Sequence, residues 1–211
     1  MTIATASEIA ERYARVCGEV GPAVTVVVAT KYVSADEMGA LAEAGVAVVG
    51  ENRAQDLEEK QALYGDAFRW HFIGHLQSNK VKVVNQLCEL VHSLGSDSAA
   101  RRVTIPALLE VNLAGESSKS GVAPEEIGAY VERYALIRGL MTMPPLAADP
   151  KASRAHFQRL RELAAEHGLT DLSMGTSQDY RVAAEEGATL VRVGAKIFGA
   201  GAVSAAASTE G

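Results

Sequence analysis

Short apolar runs punctuate the chain: VTVVVAT (24–30), VAVVG (46–50), WHFIG (70–74), CELVHSL (88–94), ALLEVNL (107–113), LIRGLMTM (136–143), LTDLSMG (169–175) and TLVRVGA (189–195). Most are continuous rather than alternating, which is how a strand covered on both faces of a parallel sheet reads. Between several of them the spacing turns helical. SADEMGALAEAG has Ser34 before an acidic first turn and Gly45 as a stop, APEEIGAYVERYA opens on Pro124 and two glutamates, and SRAHFQRLRELAAEHG closes on Gly168. Strand ends recur roughly every 20–30 residues, a period suited to βα units joined by right-handed crossovers.

Eight such units predict an α/β fold, a closed (β/α)₈ barrel, with a doubly wound open sheet as the alternative. ASEIAERYARVCGEVG, ahead of the first run, predicts an extra N-terminal helix. The connection from Leu94 to Ala107 is close to the minimum for a parallel crossover, so its helix is expected to be truncated. Residues 144–151 read as a loop, and the whole of 1–211 as one domain whose ends, 1–6 and 201–211, fray.

Composition narrows the function. A formal charge of −6 argues against broad binding to nucleic acid or anionic membranes, so any anion must be met by a local site. The two cysteines, Cys17 and Cys88, sit in no metal-binding or disulfide-framework spacing, and no metal site is expected. With neither a secretory leader pattern nor a membrane-length apolar segment, the sequence reads as a soluble cytoplasmic protein, and with no obvious apolar seam as a monomer.

In a barrel of this kind reactive groups gather at the C-terminal ends of strands. Lys31 follows the first run, Asn52 the second, His75 the third and Lys119 the fifth. SMGTSQD and VRVGAKIFG, after the seventh and eighth, are glycine-containing turns with amides free to meet an anion, which suggests a phosphorylated ligand held near Thr176, Ser177, Gly194 and Ala195. Each also has a plainer reading: turn glycines, an N-cap serine, a loop histidine, a solvated lysine. Arg192, inside an apolar run, either pairs with a structural carboxylate or points at a ligand.

Taken in order, VVVATKY, GENRAQDLEEK, WHFIGHLQSNKVK, GESSKSGV, RGLMTMPP, LSMGTSQDY and VRVGAKIFG resemble the pyridoxal 5′-phosphate homeostasis proteins, from about residue 8 to residue 199. The resemblance implies a barrel similar to the N-terminal domain of alanine racemase, with pyridoxal 5′-phosphate (PLP) joined to Lys31 as an aldimine. It places Asn52 and His75 beside the ring, Arg192 at the pyridine nitrogen, and Lys119 nearby with a part in moving the cofactor. It assigns the phosphate to Ser177 and the amides of Gly194 and Ala195. Thr176 and Ala195 depart from the family pattern, which has methionine at the first position and a hydroxyl residue at the second; Thr176 or Lys196 is expected to compensate.

An amine attacks an aldehyde only when neutral, and the apolar strand before Lys31 is expected to supply the burial that lowers its pKa. An arginine at the ring nitrogen cannot protonate it, and the second domain that supplies a racemase's tyrosine base is expected to be absent. The sequence therefore implies a PLP carrier, in transient contact with PLP-dependent enzymes and without robust catalysis. The alternatives are a weak amino-acid racemase and a sugar-phosphate isomerase or lyase on the same barrel.

Overall fold

The computed structural model describes residues 4–115 and 120–199. It opens with helix α1 (Ala6–Val20), the extra helix expected from sequence. The helix starts inside the stretch expected to fray because Thr5 and Glu8 close a capping box, with the Thr5 amide donating to Glu8 Oε2 at 2.9 Å. Its Ile9 and Val16 are buried.

Eight parallel strands follow: β1 (Thr25–Ala29), β2 (Val48–Glu51), β3 (Arg69–Phe72), β4 (Leu90–Leu94), β5 (Ala107–Glu110), β6 (Ile137–Met141), β7 (Asp171–Thr176) and β8 (Leu190–Val193). Each pairs with the next, and β8 pairs back to β1 from Thr25 opposite Leu190 to Val28 opposite Val193. The sheet is thus closed, and the open alternative is excluded.

Helices join the strands on the outside. One 3₁₀ turn leads into α2 (Met38–Glu43), and Ser34, expected at a helix start, closes a capping box with Glu37. Next come α3 (Ala54–Tyr64) and α4 (Val81–Leu87), and then α5 (Asp97–Ala100), the truncated helix of the short crossover. α6 (Ile127–Arg133) follows a turn begun by Pro124, and α7 (Arg154–Glu166) ends near Gly168, whose φ of +67° suits a residue without Cβ. The final pair are α8 (Tyr180–Glu185) and the single turn α9 (Ala195–Phe198).

Two layers fill the protein. Between sheet and helices lies the larger apolar layer, where Met38, Leu41, Leu57, Phe72, Ile127 and Phe157 are fully buried. Inside the barrel a smaller cluster of Val27, Val48, Leu90, Leu108, Met141 and Leu190 shares the space with His71, His92, Ser173 and Arg192. Gly139 lets β6 approach β7: a Cβ there would lie 2.1 Å from the Asp171 carbonyl oxygen.

Candidate functional site

The C-terminal ends of the strands bring most of the expected residues to one rim. Lys31 follows β1 in a turn closed by the Val33 amide donating to the Thr30 carbonyl at 2.9 Å. The apolar strand does not bury it: Lys31 is exposed, and its Nζ stands 4.2 Å from the centre of the Tyr32 ring. The turn carries the side chain out of the sheet before burial can act on it. At the end of β2, Asn52 is half-buried and its Oδ1 is fully covered with no hydrogen-bond partner among the described residues. Gly74 lets the β3 end close on this point, since a Cβ there would fall 2.1 Å from the Asn52 carbonyl oxygen. His75 follows it and is exposed. Lys119 lies outside the described residues.

The turns after β7 and β8 are one structure. Ser177 Oγ accepts from the Gly194 amide at 3.0 Å and from the Lys196 amide at 3.4 Å, so it bridges to the start of α9 rather than capping α8. Gly175 makes the first turn possible: its φ is +91°, and a Cβ would sit 2.5 Å from that of Ala183. Thr176 faces elsewhere, its amide and its hydroxyl both donating to Asp179 Oδ1, at 2.8 and 3.1 Å. Its one hydroxyl proton is thereby committed to Asp179 in this arrangement. Ala195 begins α9, half-buried, and Lys196 beside it is exposed.

Arg192 points into the barrel. Its Nη1 donates to the Ser173 carbonyl at 3.0 Å and to Ser173 Oγ, and its Nη2 to the Thr142 carbonyl at 3.2 Å. No carboxylate among the described residues forms an ion pair with it, so the carboxylate-partner reading fails. Burial draws its pKa down to about 10, opposed by the charges of Glu110 and Asp179, and it stays cationic at neutral pH. A cavity of about 480 Å³ opens on the same rim, lined by Glu110, Asn112, Met143, Leu146, Thr176 and Asp179 among others. That volume is in the range of small-molecule sites.

Below Arg192 runs a chain of hydrogen bonds. Ser173 Oγ meets His92 Nδ1 at 2.7 Å, and His92 Nε2 meets His71 Nδ1 at 2.9 Å. Burial, helped by Arg69 and Arg138, pulls the His71 pKa down to about 3; burial, then the neighbouring His71, Arg192 and Arg138, holds His92 well below its ordinary value. Both rings are therefore neutral with one N–H each. Because the guanidinium can only donate to Ser173, the arrangement that gives the serine proton an acceptor sends it to His92 Nδ1 and the His92 proton to His71. His71 in turn lines a polar cavity of about 260 Å³ among first residues of strands, including Thr25, Arg69, Leu90 and Asp171.

Sequence reading passed over these histidines, Ser173 and the buried Lys60, although polar residues inside continuous apolar runs are a signal in themselves for the first three. Among the described residues no cluster of three or more His, Cys, Asp or Glu could hold a metal. Cys88 is buried, which pushes its thiol up to about 12 and leaves it inert.

Comparison with known proteins places the chain. Residues 6–202 match the family model of the alanine racemase N-terminal domain. The pyridoxal phosphate homeostasis protein of Aquifex aeolicus is 38% identical over 218 aligned positions, covering 92% of this chain and 95% of that one. The protein of the same name from Pseudomonas aeruginosa is 42% identical over 182 positions, covering 78% and 79%. Among solved structures, PipY of Synechococcus elongatus, determined with PLP bound and without it, superposes with a TM-score of 0.83 at 33% identity over 90% of this chain and 100% of PipY. Alanine racemase of Bartonella henselae shares the fold, with a TM-score of 0.75 at 14% identity over 94% of this chain and 60% of the racemase. The chain belongs to the pyridoxal phosphate homeostasis proteins, a branch of the alanine racemase N-terminal-domain family.

Proposed function

We propose that this protein binds PLP in the barrel mouth, holds it covalently on Lys31, and supplies it to dependent enzymes without robust catalysis of its own. The Lys31 amine bonds to the aldehyde carbon as an aldimine, and the carbonyl oxygen leaves as water. Lys31 is an exposed amine just past β1, the strand that pairs with the Arg192-bearing β8, and this adjacency is the observation that carries the reading. A ring nitrogen is an acceptor and a guanidinium only donates, so Arg192 fits an unprotonated pyridine.

Other groups fit the same ligand. Ser177 Oγ marks a spot where an acceptor oxygen sits between two backbone N–H donors, and a phosphate oxygen is an acceptor of the same kind. The phosphate falls to Ser177 and the amides at Gly194 and Ala195, with Lys196 the available cation. The unsatisfied Asn52 Oδ1 offers an acceptor beside the ring, with His75 on the next strand end. Lys119 takes the family's second-lysine role. PipY, a relative at 33% identity, has been seen with PLP bound.

When bound, PLP supplies an aldehyde and an electron-withdrawing ring. An unprotonated ring is a poor sink for carbanions, which favours holding the cofactor over using it. On this reading the protein works as a cytoplasmic monomer, one domain over its whole length, that meets PLP-dependent enzymes transiently. Titration with PLP should produce an absorption band that borohydride bleaches; a protein that acquires no such band overturns the reading.

A further inference from the structure

Against Thr30, the residue before Lys31, lies a buried charge pair that the proposed function leaves unused. Lys60, on α3, has only 4% of its surface exposed, and Glu51, the last residue of β2, none. Lys60 Nζ forms an ion pair with Glu51 Oε1 and donates to the Thr30 carbonyl at 2.9 Å. Thr30 Oγ1 donates to the same Glu51 oxygen at 2.6 Å, and the Asn52 amide donates to Glu51 Oε2 at 3.3 Å.

The placement is specific to two residues of the rim. The Thr30 carbonyl accepts from both Val33 N and Lys60 Nζ, so the turn that presents Lys31 is closed by one donor and anchored to α3 by the other. Glu51 meanwhile ties Thr30, which precedes Lys31, to Asn52. Two opposite charges inside a protein are costly to desolvate, and a packed apolar pair would hold the helix to the sheet as well or better. What an apolar pair cannot do is fix a carbonyl, a hydroxyl and an amide at chosen points on two adjoining strand ends.

We infer that Lys60 and Glu51 are positioning residues that hold the Lys31 turn and Asn52 in the geometry needed to capture an aldehyde. The inference rests on the proposed reading of Lys31. Neither residue is among the side chains assigned to the ring or the phosphate; they act through Thr30 and Asn52.

The test uses Lys60→Met and, in case a lone buried carboxylate prevents folding, the neutral pair Glu51→Gln with Lys60→Met. Two ligands separate positioning from general damage: PLP, trapped on Lys31 by borohydride, and pyridoxine 5′-phosphate, which has the ring and phosphate but no aldehyde. Aldehyde capture should slow by roughly tenfold to a hundredfold, the range expected for a reacting group displaced by about 1 Å. Affinity for pyridoxine 5′-phosphate, which meets Asn52 but forms no bond to Lys31, should fall by a far smaller factor. Equal loss with both ligands, or no loss with either, would overturn the inference. Should the wild-type protein itself capture no aldehyde, the proposed function fails separately, and hydrogen exchange at the Val33 amide still decides this one: faster exchange without Lys60 supports the anchoring of the turn, and unchanged exchange refutes it.

Discussion

The two sides of the barrel wall are built on different terms. Outside, between strands and helices, Phe157, Leu57 and Phe72 fill space that any well-fitting apolar set could fill. Inside, His71, His92, Ser173 and Arg192 stand in a single file in which each proton has one place to go. The outer layer stabilises; the inner file gives up apolar burial in order to hold a guanidinium inside the barrel, bonded to the Ser173 and Thr142 carbonyls. Stability and ligand binding should therefore come apart when the two sides are perturbed separately.

The largest effect is expected outside. Phe157→Ala should cost about 3–5 kcal/mol in urea unfolding, because Phe157 is fully buried and its site cannot collapse without shifting α7. If the protein survives, its relative preference for PLP over pyridoxine 5′-phosphate should be unchanged. A selective loss of aldehyde binding would mean that the outer layer reaches the site after all.

The inner file should announce itself through acid. His71 has a folded pKa of about 3 against an ordinary 6.5, so as pH falls below 6.5 the unfolded chain takes up a proton that the native ring refuses. Stability should fall by about 2 kcal/mol for this imidazole between pH 6.5 and 4.5, and His92 adds a loss of the same sign. His71→Gln should remove its share of that slope in unfolding curves measured at the two pH values. An identical slope in the variant would place the titration elsewhere.

A modest effect on stability, and a clear one on binding, is expected at the end of the file. Arg192→Met removes a desolvated cation but also the donor to the buried Ser173 and Thr142 carbonyls, so stability should fall by about 1–3 kcal/mol. Affinity for pyridoxine 5′-phosphate should also drop about tenfold, the equivalent of one charge-assisted hydrogen bond. Retained affinity would show that the guanidinium serves the interior alone.

The same contrast explains what was legible in the sequence. All eight strands could be read as apolar runs because the outer face demands apolar residues at every strand, whatever the inner face holds. The crossover helix between Leu94 and Ala107 was legible from length alone. Helices α3 and α4 were not, since α3 carries DLEEK in its middle and its buried Lys60 falls where an apolar residue would mark the face. Lys60 is inside only because Glu51, nine residues earlier on another element, awaits it.

The site was read in a similar way. Lys31, Asn52, Ser177 and Gly194 follow strand ends, where a barrel's topology makes position along the chain predict position in space, and Arg192 stands out as a charge within an apolar strand. The burial expected for Lys31 failed because apolar character stops with the strand, whereas side-chain direction is set by the turn at Thr30. At Thr176 the partner of the hydroxyl, Asp179, is a choice of local turn geometry that residue types alone do not reveal.

Lys31 carries the proposed function. The protein should be equilibrated with PLP, reduced with borohydride, digested and mapped by mass spectrometry. The predicted result is one phosphopyridoxyl group on the peptide containing Lys31, and none in a Lys31→Ala variant. A label on another lysine, or a fully loaded Lys31→Ala protein, would contradict it.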